Sequence, residues 1–135
     1  MIIKQLPSAA AWFALCLGVG GCSSSDVIPV QGEVRVRGGT IPAGATIVFS
    51  HDATQRSSSG TVQSDGQFQL TTDKPNDGAP VGPHRVTVHN PSAADSSQGE
   101  PPRTFHAKYE NPSTSGLTAN VQPGQAVVKF ELDPP

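Results

Sequence analysis

Four histidines, His51, His84, His89 and His106, are the side chains best suited to hold a metal ion or move a proton near neutral pH. Metal-binding histidines recur at short, regular spacings, and no two of these four lie at such a spacing. His84 and His89 fall on opposite faces of one alternating segment, which separates them further. Asp73, Asn76 and Asp77 could donate oxygens to calcium. Pro75-Asn76 and Asp77-Gly78 are turn-forming pairs in their own right, so ordinary turn geometry accounts for the cluster. Serine is abundant but sits in low-complexity tracts, with no Gly-x-Ser-x-Gly elbow to expose a nucleophile. No metal, cofactor or hydrolytic triad is expected.

The remaining reactive residue type is cysteine, at Cys16 and Cys22. Lys4 supplies a positive start, and residues 9–19 are apolar or small. That run is about half of the ~20 residues a spanning helix needs, and no other stretch approaches that length. Val19-Gly20-Gly21-Cys22 follows at once, and its order of branched aliphatic, small, small, cysteine resembles the bacterial lipobox. The resemblance implies that the Cys22 thiol is alkylated by a diacylglyceryl group and that residues 1–21 are then removed as a signal peptide. Buried acyl chains contribute ~0.8 kcal/mol per CH₂, and more than one chain suffices for stable anchoring. Residues 22–27 then form the lipidated N-terminus and a short linker. Ser23 stands where an Asp would suggest inner-membrane retention, so an outer membrane, where the cell has one, is the expected address.

The formal net charge is −2, and the Lys and Arg residues are scattered singly, so nucleic acid is not an expected partner. Removal of residues 1–21 leaves no tryptophan and Cys22 as the one cysteine, so no disulfide can staple the mature chain. Its core must come from branched aliphatics and a few rings, at ~1.5–3 kcal/mol for each side chain buried.

From residue 28 onward, apolar and polar residues alternate in short runs broken by Gly, Pro, Asn and Asp, the signature of half-buried strands. Residues 31–37 place Val34 and Val36 inward, and 45–50 place Ile47 and Phe49 inward. A serine-rich loop is expected over 51–59. Residues 60–64 and 67–71 flank Asp65-Gly66, which reads as a two-residue hairpin turn. A loop is expected over 73–82, and over 84–89 a strand with Val86 and Val88 inward and Thr87 outward. Residues 90–104 read as a long surface loop. Short extended segments follow at 105–109, 117–121 and 126–132. About seven strands with regular turn signals define an all-β chain, expected as an antiparallel β-sandwich over 28–135.

Val30-Gln31-Gly32-Glu33-Val34, Pro42-Ala43-Gly44-Ala45-Thr46-Ile47-Val48-Phe49 and Asp65-Gly66-Gln67-Phe68-Gln69-Leu70 resemble the carboxypeptidase regulatory-like domains, which share a transthyretin-like (prealbumin-like) sandwich. Small bacterial lipoproteins with that domain also carry segments like Asp77-Gly78-Ala79-Pro80-Val81-Gly82 and like Ala107-Lys108-Tyr109 followed by Ser113-Thr114-Ser115-Gly116-Leu117-Thr118. The resemblance covers nearly all of the mature chain. It implies a fold and an address rather than a reaction, since that module is non-catalytic and one fold hosts many functions. Hydroxyisourate hydrolases share the fold but end in Arg-Gly-Ser, whereas this chain ends Asp133-Pro134-Pro135.

Sugar-binding sandwiches present flat rings, yet Phe49, Phe68 and Phe130 fall on inward phases. Tyr109 is expected to be buried, with its hydroxyl on a backbone partner. The expectation is a non-enzymatic cell-envelope lipoprotein, held to the membrane through Cys22, whose domain serves in contacts with an envelope protein or in structural support. The alternative is an envelope module that binds a glycan or peptide ligand.

Overall fold

The computed structural model describes residues 26–91, 102–124 and 127–135. They form strands β1 (Val27–Ile28), β2 (Gln31–Val36), β3 (Thr46–His51), β4 (Ser57–Thr61), β5 (Gln67–Gln69), β6 (Ala79–Pro80), β7 (Gly82–His89), β8 (Leu117–Val121) and β9 (Val127–Leu132), with one 3-10 helix at Ala107–Glu110. The fold is all-β. One sheet has the order β5-β2-β9, a second the order β4-β3-β7-β8, and β1 pairs with β6. None of the helical structure among the described residues is long and apolar enough to cross a membrane.

The alternation read from the sequence is what builds the core. Val34 and Val36 of β2, Ile47 and Phe49 of β3, and Val86 and Val88 of β7 are all buried. The two larger sheets share this core: the Phe49 ring lies 6.3 Å from that of Phe68 and 6.0 Å from that of Phe130, across the gap between them. Each fully buried side chain of this size contributes ~1.5–3 kcal/mol. An exposed ion pair such as Arg85 with Asp52 contributes only ~0–1 kcal/mol. Apolar packing, not surface charge, therefore holds the sheets together.

Several expectations are corrected. Strand pairing is antiparallel except between β2 and β9, which run parallel in register from Gln31 opposite Val127 to Val36 opposite Leu132. Residues 57–59, expected in a loop, belong to β4, because β3 offers them a ladder from Thr46–Thr61 to Ser50–Ser57. Thr87, expected on the solvent side, is buried because the 3-10 helix packs against β7. Residues 105–109 are not a strand. His106 caps the 3-10 helix, its Nδ1 accepting the Lys108 N–H at 3.1 Å, while Phe105 and Tyr109 both bury their rings.

The Asp65-Gly66 turn exists with a different geometry. Gln63 N–H donates to Gln67 O and Gly66 N–H to Gln63 O, both at 2.9 Å, so Ser64, Asp65 and Gly66 make a three-residue connection. Gly66 alone takes the positive φ, at 83°, while the Asp65 carboxylate accepts the Gln67 N–H at 3.0 Å. Its two arms then part, β4 into the four-stranded sheet and β5 into the three-stranded one. Reciprocal hydrogen bonds between Ser59 and Thr71, at 2.9 and 2.8 Å, close that flank of the domain.

Strand directions sort the connections into two ends. At one end lie Asp26, β1 and β6, residues 52–56, residues 70–78 and residues 122–124. At the other lie residues 37–45, the 62–66 turn, the 3-10 helix and the C-terminal residues. Residues 92–101 of the expected 90–104 loop fall outside the described residues, as do residues 1–25.

Candidate functional site

Cys22, the residue on which sequence chemistry converges, lies outside the described residues. The Asp26 carbonyl accepts the Val81 N–H at 2.6 Å, and β1 pairs from Val27 opposite Pro80. The folded domain thus begins within five residues of Cys22 along the sequence.

The histidines are not scattered as their spacing suggests. His51, expected in a loop, is the last residue of β3 and sits opposite His84 of β7, with ring centroids 4.9 Å apart. Both rings are buried. His51 Nε2–H donates to the Val81 carbonyl at 3.0 Å, and its Nδ1 accepts from the Thr54 N–H and hydroxyl at 3.1 and 3.0 Å. His84 Nε2–H donates to the Pro80 carbonyl at 2.7 Å, while its Nδ1 is buried without a partner. Burial, followed by the neighbouring His51, pushes the His84 imidazole below its ordinary value, against the opposing pull of the Pro80 hydrogen bond and Asp52. Both ring nitrogens of His51 are occupied by the protein, so the pair supports the fold and is not a free metal chelate. The signal that could have found it was phase: His84 shares the inward register of Val86 and Val88, and His51 that of Ile47 and Phe49.

His89 and His106 lie elsewhere. His89 Nε2 meets the Thr87 hydroxyl at 3.1 Å. Among the described residues no three His, Cys, Asp or Glu side chains converge into a metal-holding group.

Asp73, Asn76 and Asp77 share a turn, in which the two carboxylates have other partners. The Asp77 carboxylate accepts backbone N–H groups from Thr72, Asp73 and Lys74 at 2.7, 3.0 and 2.9 Å. Desolvation pulls its pKa upward, but the N–H donors of Thr72, Lys74 and Asp73 together outweigh it and hold the carboxyl below its ordinary value. Asp73 pairs with Arg56, and Asn76 takes a positive φ of 58°. The cluster is a capped turn.

Tyr109 has its ring buried and its hydroxyl on the backbone, as expected. Its oxygen accepts the Asp133 N–H at 2.9 Å and donates to the Asp133 carboxylate at 3.1 Å. Lys108 Nζ donates to the same carboxylate at 2.8 Å. Those side-chain bonds from Lys108 and Tyr109, with the charges of Lys108 and Arg37, hold the Asp133 carboxyl below its ordinary range. This network straps the C-terminal segment onto the 3-10 helix.

One groove on the surface is lined almost wholly by neutral hydrogen-bonding side chains: Thr46, Ser59, Thr61, Gln63, Gln69 and Thr71, where β4 and β5 diverge. It holds no aromatic ring, and Phe49, Phe68 and Phe105 are buried. No protein-family model, no curated protein and no solved structure matches the chain.

Proposed function

We propose that the protein is a membrane-anchored cell-envelope lipoprotein whose mature form begins at a diacylglyceryl-modified Cys22. Its domain is read as a transthyretin-like sandwich of the carboxypeptidase regulatory-like type, non-catalytic, serving in protein contacts or structural support. One observation carries this reading. An apolar run of signal-peptide length ends in Val19-Gly20-Gly21-Cys22, and a folded all-β domain begins within five residues of that cysteine. The two sheets on one shared core, joined at the Ser59–Thr71 corner, support the sandwich part of the reading. The capped Asp77, the carbonyl-bound histidine pair and the buried Tyr109 each have a structural task, which supports a domain built for packing rather than reaction.

Changing Cys22 to Ala and labelling growing cells with radioactive palmitate tests it. The wild-type protein is expected to carry the label and to lack residues 1–21, and the variant to carry no label and to keep them; equal labelling of both would refute the anchor.

A second reading, a module that binds an envelope glycan, is favoured by the neutral hydroxyl and amide groove between β4 and β5. Saturable binding on a glycan array, abolished by Thr61→Val with Gln69→Leu, would support it over the leading reading.

A further inference from the structure

We propose that the end of the domain carrying Asp26 is a bilayer-docking face, with Val81 and Val127 resting against lipid. This rests on the anchor reading, and deepens it by naming which surface meets the membrane. Cys22 precedes Asp26 by four residues, a tether of at most about 14 Å when fully extended. The Asp26 carbonyl is fixed to the Val81 N–H, so the tether leaves the domain beside Val81. Gly82, the next residue, lies opposite Val121, and the chain then turns through residues 122–124 towards Val127, which lies opposite Gln31 at the start of β2. All of these positions share one end of the fold.

A second observation points the same way. Among the described residues only two large hydrophobic side chains are exposed, Val81 at 37% and Val127 at 58%. Both sit at this end. Isolated exposed valines are common on soluble surfaces, but here both belong to the one end that a short tether would hold against lipid. Charge at this end is balanced, because Asp52 pairs with Arg85, Asp73 pairs with Arg56, the Asp77 carboxylate is occupied by backbone N–H groups, and the exposed Asp26 and Lys74 are of opposite sign. The contact is therefore apolar and tether-driven, and needs no anionic lipid. The opposite end, with the 62–66 turn and the 3-10 helix, is left facing outward.

The test uses the full lipidated protein, whose mature chain has no tryptophan once Trp12 is removed with residues 1–21. Single reporters are introduced as Val127→Trp, as Val81→Trp, and as Gly39→Trp at the opposite end, where an added Cβ meets no atom within 4 Å. Each protein is placed on phosphatidylethanolamine and phosphatidylcholine vesicles with brominated acyl chains. Loss of emission and a blue shift for Val127→Trp and Val81→Trp, with Gly39→Trp unchanged, is the expected result. Vesicle flotation of all three proteins with every reporter unquenched overturns the docking face and leaves the anchor standing. Quenching of Gly39→Trp alone overturns the orientation. A protein that fails to float at all removes the anchor reading and this inference together.

Discussion

The Tyr109 hydroxyl oxygen lies 2.9 Å from the backbone nitrogen of Asp133 and 3.1 Å from its carboxylate, so one phenol both accepts from and donates to the same residue. His106 N–H adds a bond to the Asp133 carbonyl at 3.0 Å. A segment too short to fold alone is thereby tied to the end of β9. Replacing Tyr109 by Phe keeps the ring contact with Phe105 and removes only the hydroxyl. The expected cost is about 0.5–1.5 kcal/mol of stability, read from urea unfolding midpoints at constant slope. An unchanged midpoint would show that the strap is decorative.

The His51–His84 pair sets a second expectation. The folded state holds His84 below its ordinary value of 6.5, through burial first and His51 second, so the unfolded chain binds a proton that the folded chain resists. Stability is then intact above pH 6.5 and falls as pH drops from there through the depressed folded value. Asp52, which pairs with Arg85, partly offsets the effect. Thermal midpoints measured from neutral to mildly acidic pH should decline in the wild type and decline less in His84→Gln.

Asp77 gives an acid effect in a lower window. Its folded carboxyl sits below the ordinary value of 3.8, so the stability it lends is present above that value and is lost as pH falls through the folded one. Asp77→Ala should lower the thermal midpoint at neutral pH by freeing three backbone N–H groups. Millimolar calcium should leave both proteins unmoved; a calcium-dependent midpoint in the wild type would overturn the capped-turn account.

Gly32 tests the packing of the parallel pair. A methyl group there would lie 2.6 Å from the Phe68 ring and 2.8 Å from Val128 Cγ2, besides pressing on the Val128 carbonyl. Gly32→Ala should cost about 1–3 kcal/mol, the usual range for overpacking. Gly39→Ala, which meets open space, is the control and should stay near neutral.

The features legible in the sequence were the local ones. Val34 and Val36, Ile47 and Phe49, and Val86 and Val88 declare their strands because a period of two is written within a few residues. The serines of β4 do not, since their strand is imposed by pairing with β3. Phe105, Ala107 and Tyr109 alternate as a strand would, but the His106 cap and the tie to Asp133 turn the same spacing into a 3-10 turn. The parallel match of β2 with β9 and the meeting of His51 with His84 join positions remote in sequence, and local patterning carries no register between them. At the candidate site, the burial of Tyr109 is readable from residue types, and the proposed lipid site at Cys22 rests on residue order alone, whereas the end proposed to face the membrane requires the strand directions.

The most direct measurement is the intact mass, with N-terminal fragmentation, of the protein purified from the membranes of its own cells. Lipidation at Cys22 requires a chain beginning at that residue and heavier than the bare polypeptide by a thioether-linked diacylglyceryl group. A chain beginning elsewhere, or beginning at Cys22 with a free thiol, would contradict it.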